Sequence, residues 1–324
     1  MAMAHCFTPV RGNAMRVTAL NGCGAPVYGP DSMGISDGFI SVSFTANTDE
    51  GEEINVTNAA GRTCVRETPC PQLLGYTVEI EFCQVDPALF AILTEQDPEL
   101  DAQGLAAGFR INTANSGCDR AFALELWTGT PGERCNPDAP QDASAGGWLL
   151  LPYMQGGIFG DFTIENAAIS FTVTGAATKS GGAWGVGPYN VVLNAAGDPA
   201  PLAIPVGADD HMIVRFTEVA PPEVFCGTMP LLDPAGAALT GVTATPADLT
   251  VTFAPVPAGV DPWWIDFGDG TWDYSADGSN LVHTYAVAGT YEYTAYRGSS
   301  QLMAQVVVTA PAGLLVAADA DAEA

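Results

Sequence analysis

Apolar and polar residues alternate with a period of two along most of the chain. The pattern runs through GFISVSFTAN at residues 38–47, YTVEIEFCQV at 76–85 and AFALELWTG at 121–129, then DFTIENAAISFTVTG at 161–175 and HMIVRFTEV at 211–219. Alternate residues of a strand point to opposite faces, so each segment reads as a β-strand. Helical spacing is scarce. Its best instance is DPALFAILTEQ at residues 86–96. There Asp86 is placed to cap, Pro87 takes the first helical position, and Leu89, Ile92 and Leu93 share one stripe. The pattern predicts a mainly β protein with one short helix.

Near the C-terminus the alternation becomes aromatic, in WWIDFGDGTWDYSADGSNLVHTYAVAGTYEYTAY at residues 263–296. Trp263, Ile265 and Phe267 point one way, Trp264 and Asp266 the other. Gly268, Asp269 and Gly270 break the strand with residue types that tolerate positive φ. His283, Thr284 and Tyr285 restart it, Gly289 marks a further turn, and Tyr291, Tyr293 and Ala295 alternate with Thr290, Glu292 and Thr294. A small antiparallel module is predicted, with Trp263, Phe267, Tyr285, Tyr291 and Tyr293 in its core. Trp264, Trp272 and Tyr274 are candidates for exposure. They could stack on sugar rings, or else cover the edge of the sandwich or touch the rest of the protein.

A boundary is predicted in APPEVFCGTMPLLDPAGAALTGVTATP at residues 220–246, where prolines cluster and a new strand pattern follows. The domains expected are 1–227, a Pro/Gly-rich linker at 228–240, the aromatic module at 241–310, and an acidic Ala/Asp tail at 311–324. Two polar segments look like insertions, at residues 47–63 and 129–147. Long loops in a compact domain are usually functional. The first holds Asp49, Glu50, Glu52, Glu53 and Arg62, which are candidates for an arm that reaches a neighbouring subunit.

Charge narrows the partners. Ten basic residues against 37 acidic ones give −27. Residues 1–227 carry nine basic and 26 acidic groups, hence −17, and the remainder carries −10. A DNA backbone with about one negative charge per 1.7 Å would be repelled, so specific nucleic-acid binding is not expected. No run of 18 apolar residues occurs, so no membrane-spanning helix is expected. The first residues lack a basic segment followed by an apolar one, so no secretory leader is expected either. All eight cysteines precede residue 227 and none forms a C-x-x-C pair. Buried free thiols, disulfides formed after release from a cell, and a metal cluster using His5 and Cys6 are the alternatives.

Residues for catalysis are few. The chain has three histidines, His5, His211 and His283, and lacks G-x-S-x-G, H-E-x-x-H and the phosphate-cradling G-x-x-x-x-G-K-[ST]. The Gly-rich stretch at 181–190 does not have dinucleotide spacing and reads as a loop with close backbone approach. Glu79 and Glu81 share one strand face. They read as a solvated or partner-facing surface rather than a glycosidase pair. ADDHM at 208–212 offers two carboxylates and an imidazole to a metal, without a second cluster to complete a site. No enzyme, cofactor or metal is expected.

Two resemblances add to this reading. The segments WIDFGDGT at 264–271 and HTYAVAGTYEYT at 283–294 resemble the PKD domain, an immunoglobulin-like β-sandwich, over roughly residues 240–310. RVTALNGCGAPVYGPDS at 16–32, GEEINVTNAAGRTCV at 51–65, VEIEFCQVDPALFAILT at 78–94, FALELWTGTPGERC at 122–135, GGIFGDFTIENAAISFTVTGAATKSGGAWGVGPYNVV at 156–192 and APPEVFCG at 220–227 follow one another in order. Together they resemble the major tail protein, or tail tube protein, of long-tailed (siphovirus-type) bacteriophages.

That resemblance implies a tail-tube-type β-sandwich or rolled sheet with one flanking short helix, followed by the small Ig-like (PKD) sandwich. It implies a structural virion protein, made in the host cytoplasm. Six copies would close into a ring whose inner strands form one barrel, and rings would stack into a tube for DNA passage. Partners would be further copies, other phage tail proteins, DNA only in transit, and a host surface glycan through the C-terminal module. The rival readings are a secreted bacterial surface or glycan-binding protein with a PKD module, and another virion decoration protein.

Overall fold

A computed structural model describes residues 9–102, 106–115, 118–129, 146–162, 170–259 and 261–310. The chain divides into two compact units. One takes the residues up to Val27 and Asp31–Met229; the other takes Tyr28–Pro30 and the chain from Pro230 onward.

In chain order the first elements are β1 (Val10–Leu20), β2 (Gly29–Ser36), β3 (Phe39–Asp49), β4 (Ile54–Thr57), β5 (Thr63–Glu67), β6 (Gln72–Phe82) and α1 (Pro87–Thr94). There follow β7 (Asp97–Leu100), β8 (Ala106–Arg110), β9 (Ala121–Gly129), β10 (Gly146–Gln155), β11 (Ile158–Phe159) and β12 (Phe171–Thr178). Then come β13 (Val192–Leu193), β14 (Pro199–Ala200), β15 (Ile213–Thr217) and β16 (Thr228–Leu231). A ten-stranded sheet runs β16-β2-β1-β9-β10-β12-β6-β3, with β11 beside β12 and β15 beside β10. All its described pairings with a register are antiparallel.

The middle of this sheet is covered on both faces. On one side Met15, Val17, Leu124, Leu126 and Leu151 meet α1 through Leu89, Phe90 and Leu93. On the other, Ala14, Ala123, Trp127, Trp148 and Leu150 lie under Trp184, Val191, Leu202 and Val206 of the Gly-rich segment and its continuation. This is why β9 is nearly apolar throughout, where a strand with one wet face would alternate. Toward β3 none of the described residues forms a second apolar cover. Val78, Ile80, Phe82 and Val173 still face the α1 side, and clean alternation returns.

The helix is shorter than the sequence pattern. Its Asp86 side chain accepts from the backbone N–H groups of Ala88 and Leu89, and Glu95 ends it in the left-handed region at φ 57°. Among the described residues α1 is the one helix, and the protein is mainly β as expected. The segment read as a linker is not wholly one, since Thr228–Leu231 forms β16 on the edge of the large sheet. Thr228 Oγ1 donates to Asp31 Oδ1 at 2.6 Å there, an anchor with no pattern in sequence. Of the strand pattern at 161–175, the part from Phe171 lies in β12, and residues 163–169 lie outside the described residues. Most of the insertion at 129–147, and the tail at 311–324, lie outside the described residues.

The second unit contains β17 (Gly241–Ala247), β18 (Thr250–Val256), β19 (Trp263–Asp266), β20 (Trp272–Ser275), β21 (Leu281–Thr284), β22 (Gly289–Arg297) and β23 (Ser300–Val308). They form a three-stranded sheet, β17-β18-β21, and a four-stranded sheet, β20-β19-β22-β23. One apolar cluster joins Val251, Phe253 and Leu281 of the first sheet to Trp263, Ile265, Tyr293 and Val306 of the second. The result is two antiparallel layers over a single core.

Candidate functional site

Past Asp49 the chain leaves the large sheet and returns at Gln72. Between them β4 and β5 pair as a hairpin, with Val56 opposite Val65 and Ile54 opposite Glu67. Asn58 shapes the turn, its Oδ1 accepting from Ala60 N–H at 3.0 Å and Arg62 N–H at 2.9 Å. Every residue from 48 to 68 is exposed. Ile54, Val56 and Val65 form an apolar stripe on one face, with Val56 51% exposed. A lone two-stranded hairpin is marginal in water, so this arm lacks the burial that would stabilise it.

The candidate arm residues are all on or beside it. Asp49 ends β3, and its carboxylate accepts from Gly51 N–H at 2.9 Å. Glu50 and Glu52 precede the hairpin. Glu53 pairs with Arg66 at 2.7 Å, a residue the sequence reading did not single out. That exposed pair contributes little. Arg62 sits in the turn, held through its backbone.

Beside the arm lies the open edge of the sheet. β3 is 11 residues long and, among the described residues, pairs with β6 on one side only. It contains neither proline nor lysine, the usual protections of an exposed edge. Its outward face continues across β6, with Ser41 opposite Glu81, Ser43 opposite Glu79 and Thr45 opposite Thr77. Thr172 of β12 extends the row beside Glu81. The two glutamates thus share one polar face of hydroxyls and carboxylates, with Glu79 exposed and Glu81 half-buried.

No protein-family model matches the chain, and no curated protein matches it.

Sequence reasoning missed a charge cluster inside the large unit. Arg16 and Glu125 face each other across β1 and β9. Arg16 Nε donates to Glu125 Oε2 at 2.6 Å and Nη2 to Oε1 at 2.8 Å. Trp148 Nε1 donates to Oε1 at 3.2 Å, and the guanidinium carbon lies 3.3 Å from the Tyr189 ring centroid. Arg16 is 6% exposed and Glu125 1%. The available signal was Glu125 itself, the only charge in AFALELWTG. The cluster has no open side for a substrate, so it belongs to the scaffold.

In the second unit His283 and Asp269 come together. His283 Nε2 lies 2.8 Å from Asp269 Oδ2, and Asp269 Oδ1 accepts from Thr271 N–H and Oγ1–H. Burial pushes the Asp269 carboxyl up, but the hydrogen bonds from Thr271 and His283 and the imidazole's charge outweigh it, leaving the pKa below the ordinary value. The imidazole stacks on Phe267 with centroids 4.0 Å apart. Tyr285 O–H donates to Phe267 C=O at 3.0 Å, and Tyr285 stacks on Tyr291. Gly268 has φ 77°, and a Cβ there would lie 1.9 Å from Glu292 O, so only glycine fits the turn. Gly270 also has positive φ, whereas Gly289 opens β22 without it. These residues, with Trp263 and Ile265 in the core, knit one end of the module and are structural.

Trp264 is not exposed. It is 5% accessible, stacked on Tyr296 at 4.2 Å and met edge-on by Trp272. The outer face of β19 is covered by its cross-strand neighbours, which strand alternation cannot report. Trp272 and Tyr274 are half-buried.

The remaining candidates stay apart. His211 Nδ1 lies 3.0 Å from Thr178 Oγ1, while Asp210 Oδ2 accepts from Gly207 N–H. No group of three or more His, Cys, Asp or Glu suited to a metal occurs among the described residues. The Gly-rich stretch is a close-approach loop, since a Cβ on Gly182 would lie 3.0 Å from the Gly24 Cα. Cys23, Cys64, Cys70, Cys83 and Cys226 are exposed and join no disulfide among the described residues, and Cys118 is exposed too, which goes against the buried-thiol alternative. His5, Cys6 and Cys135 lie outside the described residues. No described helix is long and apolar enough to cross a membrane.

Proposed function

We propose that the chain is a self-assembling structural subunit, the tail tube protein of a long-tailed bacteriophage. Six copies close into a ring, and rings stack into the tube through which DNA is ejected. Other tail proteins bind its ends. The second unit is read as a PKD-type, Ig-like module that decorates the exterior.

The observation that carries this reading is the long unprotected edge of β3 running into the exposed arm. An edge of that length invites pairing with another chain, and the arm's apolar stripe gains burial only against a partner. The ordered series of segments that resembles tail tube proteins supplies the identity of that partner, a second copy. The Ser/Thr/Glu face of β3 and β6 suits a wall that must not hold phosphate, because carboxylates repel it.

Negative-stain microscopy of the purified chain tests the reading. Rings or stacked tubes are expected. Monomers at every concentration and salt condition tried would overturn it.

A further inference from the structure

The second unit contains a cavity of about 320 Å³ lined by Tyr28, Asp233, Gly236, Asp261, Tyr274 and Gly298, among others. Neither the apolar core nor the arm accounts for it. Its polar groups are fixed in place. Asp233 Oδ1 accepts from Ala235 N–H at 2.9 Å and Asp261 Oδ2 from Ala237 N–H at 2.9 Å. Each carboxylate is thereby oriented through one oxygen. Gly29, Gly236 and Gly298 bring backbone into the wall. A Cβ on Gly298 would lie 2.5 Å from Gly236 O, and Gly298 itself has φ 56°.

The lining selects a ligand class. It contains no lysine, arginine or histidine and presents two carboxylates, so a phosphate or carboxylate is disfavoured, although the buried Arg297 behind the wall acts on Asp261. Two carboxylates make it a poor site for a wholly apolar molecule. Tyr28 is 42% exposed, and Tyr274 is half-buried. Burial, then the charge of Asp233, raises the Tyr28 phenol, and burial raises that of Tyr274. Both therefore remain O–H donors at neutral pH. Two aromatic rings, two phenol donors and two fixed acceptors suit a polyhydroxylated ring better than an ammonium ion, which leaves the donors unused. The volume lies at the small end of ligand sites, about 300–1,000 Å³, which fits one or two sugar rings.

We propose that this cavity binds a neutral hexose unit, with the Tyr28 and Tyr274 rings against the sugar and Asp233 and Asp261 accepting from its hydroxyls. The proposal is independent of tube assembly, which the same samples report separately by microscopy.

Saturation-transfer NMR on the full chain tests it, with the methyl glycosides of glucose, mannose and galactose as probes. Transfer is expected from at least one of them. Tyr28→Ala, Tyr274→Ala and Asp233→Asn should each weaken it at least tenfold, with tryptophan fluorescence unchanged to show that the core is intact. Asparagine keeps one acceptor oxygen for Ala235, so Asp233→Asn spares the turn. A trisaccharide of the same sugar that binds tighter than the glycoside assigns the site to a glycan chain. Equal binding assigns it to the free sugar, and either supports the proposal. No transfer from any glycoside, equal transfer in folded variants, or transfer from tetramethylammonium alone would overturn it.

Discussion

Replacing Glu125 by glutamine isolates the buried charge pair with almost no change of shape. The wild-type carboxylate holds two guanidinium contacts, at 2.6 and 2.8 Å, and the Trp148 indole at 3.2 Å. Glutamine leaves the Arg16 guanidinium in the same place, wedged under Tyr189 and beside Trp127, with no counter-charge. With both residues at most 6% exposed, water cannot substitute for the lost carboxylate. Removing one member of such a pair costs about 3–5 kcal/mol. That is a large share of a domain stability of about 5–15 kcal/mol. Urea unfolding followed by tryptophan fluorescence should show the transition of the large unit moved down by about 1–2 M at an unchanged slope. The transition of the second unit should stay put. Arg16→Met with Glu125→Met should recover most of the loss, because two apolar side chains carry no desolvation penalty. A loss below about 1 kcal/mol in Glu125→Gln, or a double variant as unstable as the single one, would refute the reasoning.

Other outcomes follow from the same geometry. Asp269 has a depressed pKa in the folded state, so its stabilising contribution is full above the unfolded value of about 3.9 and lost as pH falls through the folded value. Asp269→Asn should cost the second unit about 1–2 kcal/mol at pH 7 and flatten the acid limb of its stability curve, read by thermal melts across pH 2–7. Replacing residues 51–70 by a short Gly-Asn turn should leave the far-UV spectrum and melting of the large unit intact while rings disappear from micrographs; normal tubes would remove the arm from the assembly. Cutting after Leu232 keeps β16 and should give tubes with unchanged lumen and smaller outer diameter, whereas folded subunits that no longer assemble would make the second unit part of the tube. Ellman titration of the native, reduced chain should find at least the five exposed thiols of Cys23, Cys64, Cys70, Cys83 and Cys226 reactive without denaturant.

Local sequence pattern alone determined the mainly β class, the place of the one described helix and most inward residues of the aromatic module. These depend on nearest neighbours along the chain: side chains alternate, Asp86 and Pro87 start a helix, and a Gly-Asp-Gly turn needs positive φ. The acidic insertion was legible too, because a long polar segment between two strands has few places to go. Tertiary structure decided the rest. Glu125 looked like one charge in an apolar strand until β1 set Arg16 opposite it, 109 residues away in sequence. Trp264 alternated outward, yet Tyr296 and Trp272 on neighbouring strands cover it. Thr228–Leu231 carried the prolines and glycines of a linker nearby, but the free edge of β2 gave its backbone a partner. The sugar-sized cavity gathers Tyr28 with residues more than 200 positions later, a juxtaposition that no local pattern records. Faces and turns are properties of short segments, whereas burial, pairing and cavities depend on which distant strands the sheet order brings together.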